Sequence, residues 1–249
     1  NDVSILLGYG NGSFENQKSY SVGSYPSSVA IGDVNNDTRL DIVVANWDSN
    51  DVSVLLGYGN GSFATQNRYS VGSYPSSVAI GDVNNDTRLD IVVANWLSND
   101  VSILLGYGNG SFETETRYSV GSSPQSVSIG DVNNDTRLDI IFAITGNDSR
   151  PQSLVISDFN NDGLMDIGIV NSRTHNIGIF LGYGNISFAN QMTYSTHPYL
   201  SPCSMAVGDF NNDSRVDIAF VSCESNSVGV ILGYGNGSFE NQMMYSTGS

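Results

Sequence analysis

Short apolar runs alternate with polar turns along the whole chain. In one unit the runs occupy 28–32, 40–45, 52–56 and 63–71, and Val, Ile and Leu dominate the first three. Runs of this length, rich in β-branched residues and without helical periodicity, predict β-strands. We label the four predicted strands A to D. Strands B and C are apolar almost without interruption, which predicts a sheet covered on both faces.

The same unit recurs along the chain. Residues 1–49 and 50–98 are nearly identical, and 99–147 follow closely. Four-stranded units that repeat about every 40–50 residues predict the blades of a β-propeller. We therefore expect one all-β, propeller-like domain over 1–249, with four full blades and two half-blades. The expected parts are a C–D half-blade at 1–22, blades at 27–72 and 76–121, an A–B half-blade at 125–145, and blades at 152–196 and 202–248.

An acidic segment of nine residues joins strand A to strand B in each unit. Carboxylates occupy its positions 1, 5 and 9, and an asparagine amide occupies position 3. This all-oxygen donor set suits Ca²⁺, and the variable position 7 is expected to supply its backbone carbonyl. The sequence thus predicts up to five structural Ca²⁺ ions. Their expected ligands are Asp33, Asn35, Asp37, Arg39 and Asp41; Asp82, Asn84, Asp86, Arg88 and Asp90; Asp131, Asn133, Asp135, Arg137 and Asp139; Asp158, Asn160, Asp162, Leu164 and Asp166; and Asp209, Asn211, Asp213, Arg215 and Asp217.

The motifs G-D-x-N-x-D-x-x-x-D, L-D-I-V-V-A-N and L-G-Y-G-N-G-S-F resemble the FG-GAP/VCBS repeat over essentially the whole chain. That repeat is known from integrin α-chain propellers, some fungal lectins and many secreted proteins. The resemblance implies calcium in each A–B loop and a role in extracellular adhesion or recognition. The family usually has glycine at loop position 6, where this chain keeps only Gly163. The other loops have Thr38, Thr87, Thr136 and Ser214.

These Thr and Ser residues complete N-x-S/T sequons on the asparagines at loop position 4. We expect loops with calcium inside and a glycan outside; the competing outcome is a strained loop with weaker calcium affinity. Many sequons at fixed repeat positions predict a secreted, extracellular glycoprotein. The alternative is that turns rich in Asn, Ser and Thr contain the motif without an attached glycan. The ten sequons are at Asn11, Asn36, Asn60, Asn85, Asn109, Asn134, Asn147, Asn185, Asn212 and Asn236.

Two cysteines flank the last acidic loop. Cys203 lies six residues before Asp209 and Cys223 six residues after Asp217, so we expect them directly opposite each other on strands A and B. Opposed Cβ atoms approach the separation of a disulfide, which predicts a Cys203–Cys223 bond and an oxidising compartment. Two buried free thiols are the alternative.

The net charge and the sequence motifs exclude several classes of function. The net charge is −16, and the five loops hold 15 of the 25 acids, three in each. This acidity argues against nucleic acid, which requires a basic surface. No apolar run approaches the ~20 residues of a membrane span. No catalytic motif is present, so we expect no enzyme activity. His175 and His197 are isolated and suit turns.

Aromatic residues recur at two further repeat positions. Trp47 and Trp96 end strand B, where packing between blades is expected and a sugar-stacking platform is the alternative. One tyrosine in each C–D turn is expected to pack on a neighbouring blade or on a glycan. These tyrosines are Tyr9, Tyr58, Tyr107, Tyr183 and Tyr234.

The two half-blades are complementary, one with strands C and D and the other with A and B. Unpaired edges invite pairing between chains, so we expect head-to-tail self-association, and a closed irregular propeller is the alternative. Asn1 matches Asn50, so the sequence begins within a repeat, which suggests a processed product or a piece of a longer protein. A structural or adhesive glycoprotein that contacts matrix proteins or glycans is the favoured function. A lectin-like propeller comes second. A polysaccharide lyase comes last, because it would need a unique cleft with basic residues.

Overall fold

The structure is a computed structural model that describes residues 1–144, 149–196 and 200–247. Asn147 and His197 lie outside the described residues. The chain forms two compact units, residues 1–127 and 128–249. The described residues form strands, bridges, turns and bends only. None of them belongs to a helix that could cross a membrane.

Twenty strands are present in the described parts of the chain. The first unit contains β1 (Asp2–Ile5), β2 (Lys18–Ser21), β3 (Pro26–Gly32), β4 (Asp41–Asn46), β5 (Asp51–Leu55), β6 (Asn67–Ser70), β7 (Pro75–Gly81), β8 (Asp90–Asn95), β9 (Asp100–Leu104) and β10 (Thr116–Ser119). Strand β11 (Pro124–Gly130) crosses the unit boundary. The second unit continues with β12 (Asp139–Ile144), β13 (Pro151–Ser157), β14 (Asp166–Asn171), β15 (Asn176–Phe180), β16 (Met192–Ser195), β17 (Pro202–Gly208), β18 (Asp217–Ser222), β19 (Ser227–Ile231) and β20 (Met243–Ser246).

Consecutive strands pair into six small sheets. Four sheets have four strands each, namely β3 to β6, β7 to β10, β13 to β16 and β17 to β20. The other two are the pairs β1–β2 and β11–β12. Neighbouring strands in the four-stranded sheets are antiparallel, as expected for strands joined by short turns. The predicted all-β, propeller-like fold of four full blades and two half-blades is therefore confirmed.

Strand D is shorter than the sequence predicted. The prediction ran over 63–71, whereas β6 covers only Asn67–Ser70. Phe63 forms an isolated bridge with Gly57, and the Ala64 amide donates to the Leu56 carbonyl at 2.8 Å. These contacts close a wide turn, so the regular ladder with β5 begins only at Asn67.

The middle strands carry the core. Every residue of β4 and β8 is buried, which fits their uninterrupted apolar pattern. In the first unit Val43, Val52 and Ile91 are fully buried in one cluster between consecutive blades. In the second unit Phe159 and Phe220 belong to the corresponding cluster. Each blade therefore depends on its neighbour to cover one face.

Aromatic pairs join consecutive blades within each unit. Tyr69 on β6 meets Phe112 of the next blade edge to face, with ring centroids 5.4 Å apart, and its hydroxyl donates to the Gly110 carbonyl at 3.4 Å. Tyr20 with Phe63 and Tyr194 with Phe239 repeat this arrangement. The tyrosines of the C–D turns do not pack in this way, because 50–62% of each side chain is exposed. Packing of these turn tyrosines on a neighbouring blade or on a glycan stays a prediction.

The C–D turns need two left-handed residues. In the second of these turns Gly59 and Gly61 both have φ 75°, whereas Asn60 between them has no positive φ. Asn60 instead accepts the Ser62 amide on its side-chain oxygen at 3.0 Å. In the fourth turn Ile186 replaces the second glycine and has φ 68° with 69% of its side chain exposed. A β-branched residue in this region is strained.

We predict that Ile186→Gly will stabilise the protein. The substitution removes a left-handed cost of about 1–2 kcal/mol and adds a glycine entropy cost of about 0.5–1 kcal/mol. The net gain should approach about 1 kcal/mol in urea unfolding. Ile186→Val, which keeps the branched side chain at the same φ, is the matched control and should gain nothing. Equal stability of Ile186→Gly and wild type would contradict the assignment of strain.

Candidate functional site

The side chains at positions 1, 3 and 5 of each acidic loop gather around the loop's own backbone. In the first loop the Asp33 carboxylate accepts the Asp37 amide at 3.0 Å and the Thr38 amide at 2.7 Å. The Asn35 side-chain oxygen accepts the same Asp37 amide at 3.1 Å. The other four loops repeat these bonds. The chain therefore curls around its oxygen side chains in every copy.

The carboxylate at position 9 joins the acidic loop to the C–D turn of the same blade. Asp41 is fully buried, and its two oxygens accept the Val34 amide at 2.9 Å and the Gly57 amide at 2.7 Å. Asp90, Asp166 and Asp217 make the same two bonds with their own loops and turns. The sequence predicts position 9 only as a calcium ligand and does not indicate this bridge.

The glycine that begins each C–D turn carried the signal for this bridge. A Cβ atom on Gly57 would lie 2.2 Å from the Leu40 carbonyl oxygen, and Gly106, Gly182 and Gly233 have the same clash. Glycine is therefore required where the turn passes close to the end of the acidic loop. Gly8 in the C–D half-blade meets only the Phe14 ring at 3.6 Å.

Burial and like charge both act on the carboxylate at position 9. Burial raises the pKa of Asp41, and the nearby carboxylates of Asp37 and Asp33 raise it further, while the two backbone hydrogen bonds oppose the shift. The pKa values of Asp90 and Asp166 are raised for the same reasons. A cation among these carboxylates would relieve their mutual repulsion.

Arginine at position 7 lies near the carboxylate at position 5. Arg39 and Arg215 approach Asp37 and Asp213 to 3.8 Å. Arg88 donates to the Asp86 carboxylate from two nitrogens, at 3.0 and 2.6 Å, and this contact lowers the pKa of Asp86 to about 2. The sequence predicts only a backbone ligand at position 7, whereas in these three loops the arginine side chain also partly neutralises the loop.

The donor set fits a hard cation. Each loop offers three carboxylates and one amide oxygen, and the backbone amides use only part of the lone pairs of an ionised carboxylate. In the full blades the carboxylate at position 9 already accepts two backbone amides, which leaves it fewer lone pairs for an ion. Among the described residues, no group of three or more His, Cys, Asp or Glu side chains forms a ready metal cluster. Asn35 and its equivalents would therefore have to complete the set.

Positions 4 and 6 of the loops are both left-handed. The asparagines at position 4 have φ 58–63°, and Thr38, Thr87, Thr136 and Ser214 at position 6 have φ 64–69°. Asparagine tolerates this region better than most residues, so it has a conformational reason to be there. The asparagines of the nine sequons within the described residues are all exposed. In the C–D turns the sequon asparagine also accepts hydrogen bonds from the sequon serine. Asn11, for example, accepts the amide and the hydroxyl of Ser13.

The predicted disulfide is present. Cys203 and Cys223 are bonded, with Cα atoms 5.8 Å apart. The expected register was wrong, because Gly208 pairs with Asp217 and a shift follows between Pro202 and Ser204. Cys203 is therefore the extra residue of a β-bulge, and it meets Cys223 just beyond the end of β18.

Aromatic rings fill the end of the first unit that is remote from the acidic loops. Trp47 stacks on Tyr74 of the next blade with ring centroids 5.1 Å apart and planes 12° apart. Trp96 lies 5.6 Å from Trp47 and 6.5 Å from Tyr74. Packing between blades, the expected role of the tryptophans, is therefore what these rings do.

A cleft of about 500 Å³ opens at the corresponding end of the second unit. Its lining combines two guanidinium groups, an imidazole, a carboxylate, neutral polar groups and the disulfide. The lining residues are Arg150, Gln152, Ser172, Arg173, His175, Ser201, Cys203, Cys223 and Glu224. This cleft was not among the sites predicted from the sequence. The signal was the loss of Trp and Tyr at these repeat positions.

The fold and the loops define a class, namely propeller-blade repeats with an acidic A–B loop. The chain matches the model of the FG-GAP-like repeat over residues 1–44, 33–93, 82–142 and 158–220, and it belongs to that family. A comparison with curated proteins finds no significant match.

Several solved structures share the fold. An Agrocybe aegerita lectin that recognises non-reducing terminal N-acetylglucosamine is 16% identical, with TM-score 0.60, over 97% of this chain and 73% of the lectin chain. A streptogramin B lyase is 18% identical, with TM-score 0.64, over 100% and 77% of the two chains. The Vibrio cholerae biofilm matrix protein Bap1 is 16% identical, with TM-score 0.52, over 89% and 39%. At these identities the likeness shows the fold alone.

Removing the position-9 bridge should destabilise a full blade more than a half-blade. Asp90→Ala leaves the half-buried Val83 amide and the buried Gly106 amide without an acceptor, which should cost about 2–5 kcal/mol. Asp139→Ala removes the acceptor of the Val132 amide in the half-blade, which should cost about 1–3 kcal/mol. Urea unfolding in EDTA measures both changes without a metal contribution. Equal losses would contradict the bridging role.

Proposed function

We propose that this protein is a secreted, N-glycosylated structural or adhesive repeat protein stabilised by calcium, without enzymatic activity. The observation that carries the proposal is the repetition of one loop geometry five times, with oxygen side chains gathered on the backbone. In the four full blades a carboxylate also connects loop and turn. Such repetition suits a role in extended surface display. A single reactive centre would occur once.

The residues that would hold the ion are the three aspartates and the asparagine of each loop, with the position-7 carbonyl. When bound, Ca²⁺ supplies positive charge that offsets the repulsion between the carboxylates. The position-9 aspartate would transmit this effect to the C–D turn, because it is hydrogen-bonded to both segments. Calcium would in this way stabilise a whole blade.

Exposure and oxidation support the proposed extracellular location. Nine sequon asparagines are exposed within the described residues, so an oligosaccharyltransferase could reach them. The disulfide is of the kind that persists in oxidising compartments. On this proposal the threonines at position 6 have a strained φ and also complete the sequon.

An uncovered blade face supports head-to-tail self-association. Val29 and Ile31 on β3 are 53% and 62% exposed, whereas Val78, the repeat equivalent of Val29 on β7, is only 6% exposed because β3 and β4 cover it. A second copy of the chain is the proposed cover. The half-blades favour the same arrangement, since β12 of one copy beside β1 of another would restore the strand order A-B-C-D.

Recognition of an extracellular glycan is the second candidate function. The observation that favours it is the polar cleft of the second unit, which has a volume in the range of small-ligand sites. A lectin that shares the fold recognises a terminal N-acetylglucosamine, although its low identity transfers no residue roles.

Calcium removal should lower the melting temperature. At ~10 times its dissociation constant each ion stabilises by about 1.4 kcal/mol, so five ions give about 7 kcal/mol. For a chain of this size that corresponds to a shift of about 14–28 °C. Scanning calorimetry with Ca²⁺ and with EDTA measures the shift, and titration calorimetry should find close to five sites. Asp158→Ala should lose one site, whereas the surface variant Asp48→Ala should lose none. A melting temperature unmoved by EDTA would refute the calcium proposal.

Self-association should depend on the exposed face of β3. Light scattering coupled to size-exclusion chromatography in Ca²⁺ should detect concentration-dependent oligomers, which Val29→Asp should abolish. Val78→Asp is unsuitable as a control because Val78 is buried, so Tyr58→Asp, at an exposed position in the C–D turn of the blade 27–72, serves instead and should leave the oligomers intact. A monomer at all concentrations would argue against assembly.

A further inference from the structure

The same backbone positions carry different side chains in the two units. In the first unit the Trp47 amide donates to the Tyr25 carbonyl at 2.8 Å, and the Trp96 amide donates to the Tyr74 carbonyl at 2.9 Å. In the second unit Ser172 pairs with Arg150 at 3.1 Å, and Cys223 pairs with Ser201 at 3.0 Å. Each bond joins the residue before strand A to the residue after strand B. Two Tyr–Trp pairs thus correspond to Arg–Ser and Ser–Cys.

The loss of Trp and Tyr at these positions explains why the cleft is open in the second unit. Where Trp47, Tyr74 and Trp96 fill the space between blades with stacked rings, the second unit has small side chains at Ser172 and Ser201. The aromatic volume is gone and about 500 Å³ is open. The disulfide braces one wall, because it ties the bulge of β17 to the end of β18. A void of this size with polar walls suits a small polar ligand.

The cleft also contains two arginines that form no ion pair with the described residues. Six of the nine Lys and Arg side chains ion-pair with carboxylates of the described residues. Arg150 and Arg173 are not among those six, and both line the cleft. His175 completes the basic side, with its Nδ1 held at 2.9 Å from the Leu200 carbonyl oxygen. In a chain of net charge −16, this is a local reversal of sign.

We propose that this cleft binds an acidic saccharide through its carboxylate. A guanidinium group matches a carboxylate with two parallel hydrogen bonds, and two such groups line the site. Gln152, Ser172 and Ser201 offer neutral donors and acceptors for sugar hydroxyls, and the Glu224 carboxylate can accept hydroxyl hydrogens. The ligand therefore carries one negative charge and several hydroxyl groups.

The charge balance favours a carboxylate over a more highly charged anion. Glu224 and the net charge of the protein both repel a phosphate ester or a polyanion more strongly than a singly charged uronate. This inference deepens the second candidate function and depends on neither calcium nor self-association.

Binding of galacturonic acid tests the inference, with galactose and the methyl ester of galacturonate as neutral matches. In titration calorimetry at low salt, the acid should bind and both neutral ligands should bind at least about tenfold more weakly, since a charged hydrogen bond contributes about 1.5–3 kcal/mol. Binding should also weaken as salt rises. Inorganic sulfate should compete only weakly.

Substitutions of the lining residues test whether the saccharide binds in this cleft. Arg150→Gln and Arg173→Gln should each weaken binding about tenfold or more, and Lys18→Gln, which removes one positive charge outside the cleft, should not. Ser172→Trp restores the ring that the first unit has at this position and should block the cleft while the melting temperature stays within a few degrees. Glycan binding that none of the cleft variants changes would support the second candidate function and overturn this site. Equal binding of galactose and galacturonate, or tighter binding of sulfate, would overturn the acidic-saccharide assignment.

Discussion

A buried carboxylate between two loops is the constraint on which each blade depends. The aspartate at loop position 9 accepts one amide from the acidic loop and one from the C–D turn, so two segments 16 residues apart in sequence become a single unit. Without it two buried amides would lack partners. Because this aspartate is also an expected calcium ligand, the same atoms connect the metal loop to the hairpin that faces the next blade.

The blades of the two units differ at the end that is remote from the acidic loops. The hydrogen bonds at this end differ between the units: Asn46 and Asn95 donate to Asp51 and Asp100 in the first unit, whereas Asn171 donates to Asn176 in the second. In the first unit Trp47 and Tyr74 close that end with stacked rings. In the second unit small and basic residues leave it open. A duplicated scaffold can thus acquire one distinct site while most copies remain structural.

Much of the fold could be predicted from local patterns. Apolar runs of strand length, the repeat period and the position of each acidic loop gave the twenty strands and their grouping into blades. The disulfide followed from the position of two cysteines around one loop, but its register did not, since a β-bulge adds one residue to strand A. Sequence spacing does not reveal such a shift.

The site was less predictable because it depends on contacts between segments. The second role of Asp41 required knowledge that the turn at Gly57 lies beside the acidic loop. The cleft brings together Arg150, Arg173 and Glu224 from separate blades of one unit. Nothing in their spacing along the chain indicates this proximity. The absence of Trp and Tyr at their repeat positions was visible, but its meaning depended on how those rings pack.

Amide hydrogen exchange of the turn glycines tests the central claim most directly. Resolved by NMR with and without Ca²⁺, the amides of Gly57, Gly106, Gly182 and Gly233 should exchange slowly, because each donates to a buried carboxylate. Calcium should slow them further, together with the loop amides of Asp37 and its equivalents. Turn glycines that exchange freely, or that stay unchanged while calcium protects the loops, would contradict the account.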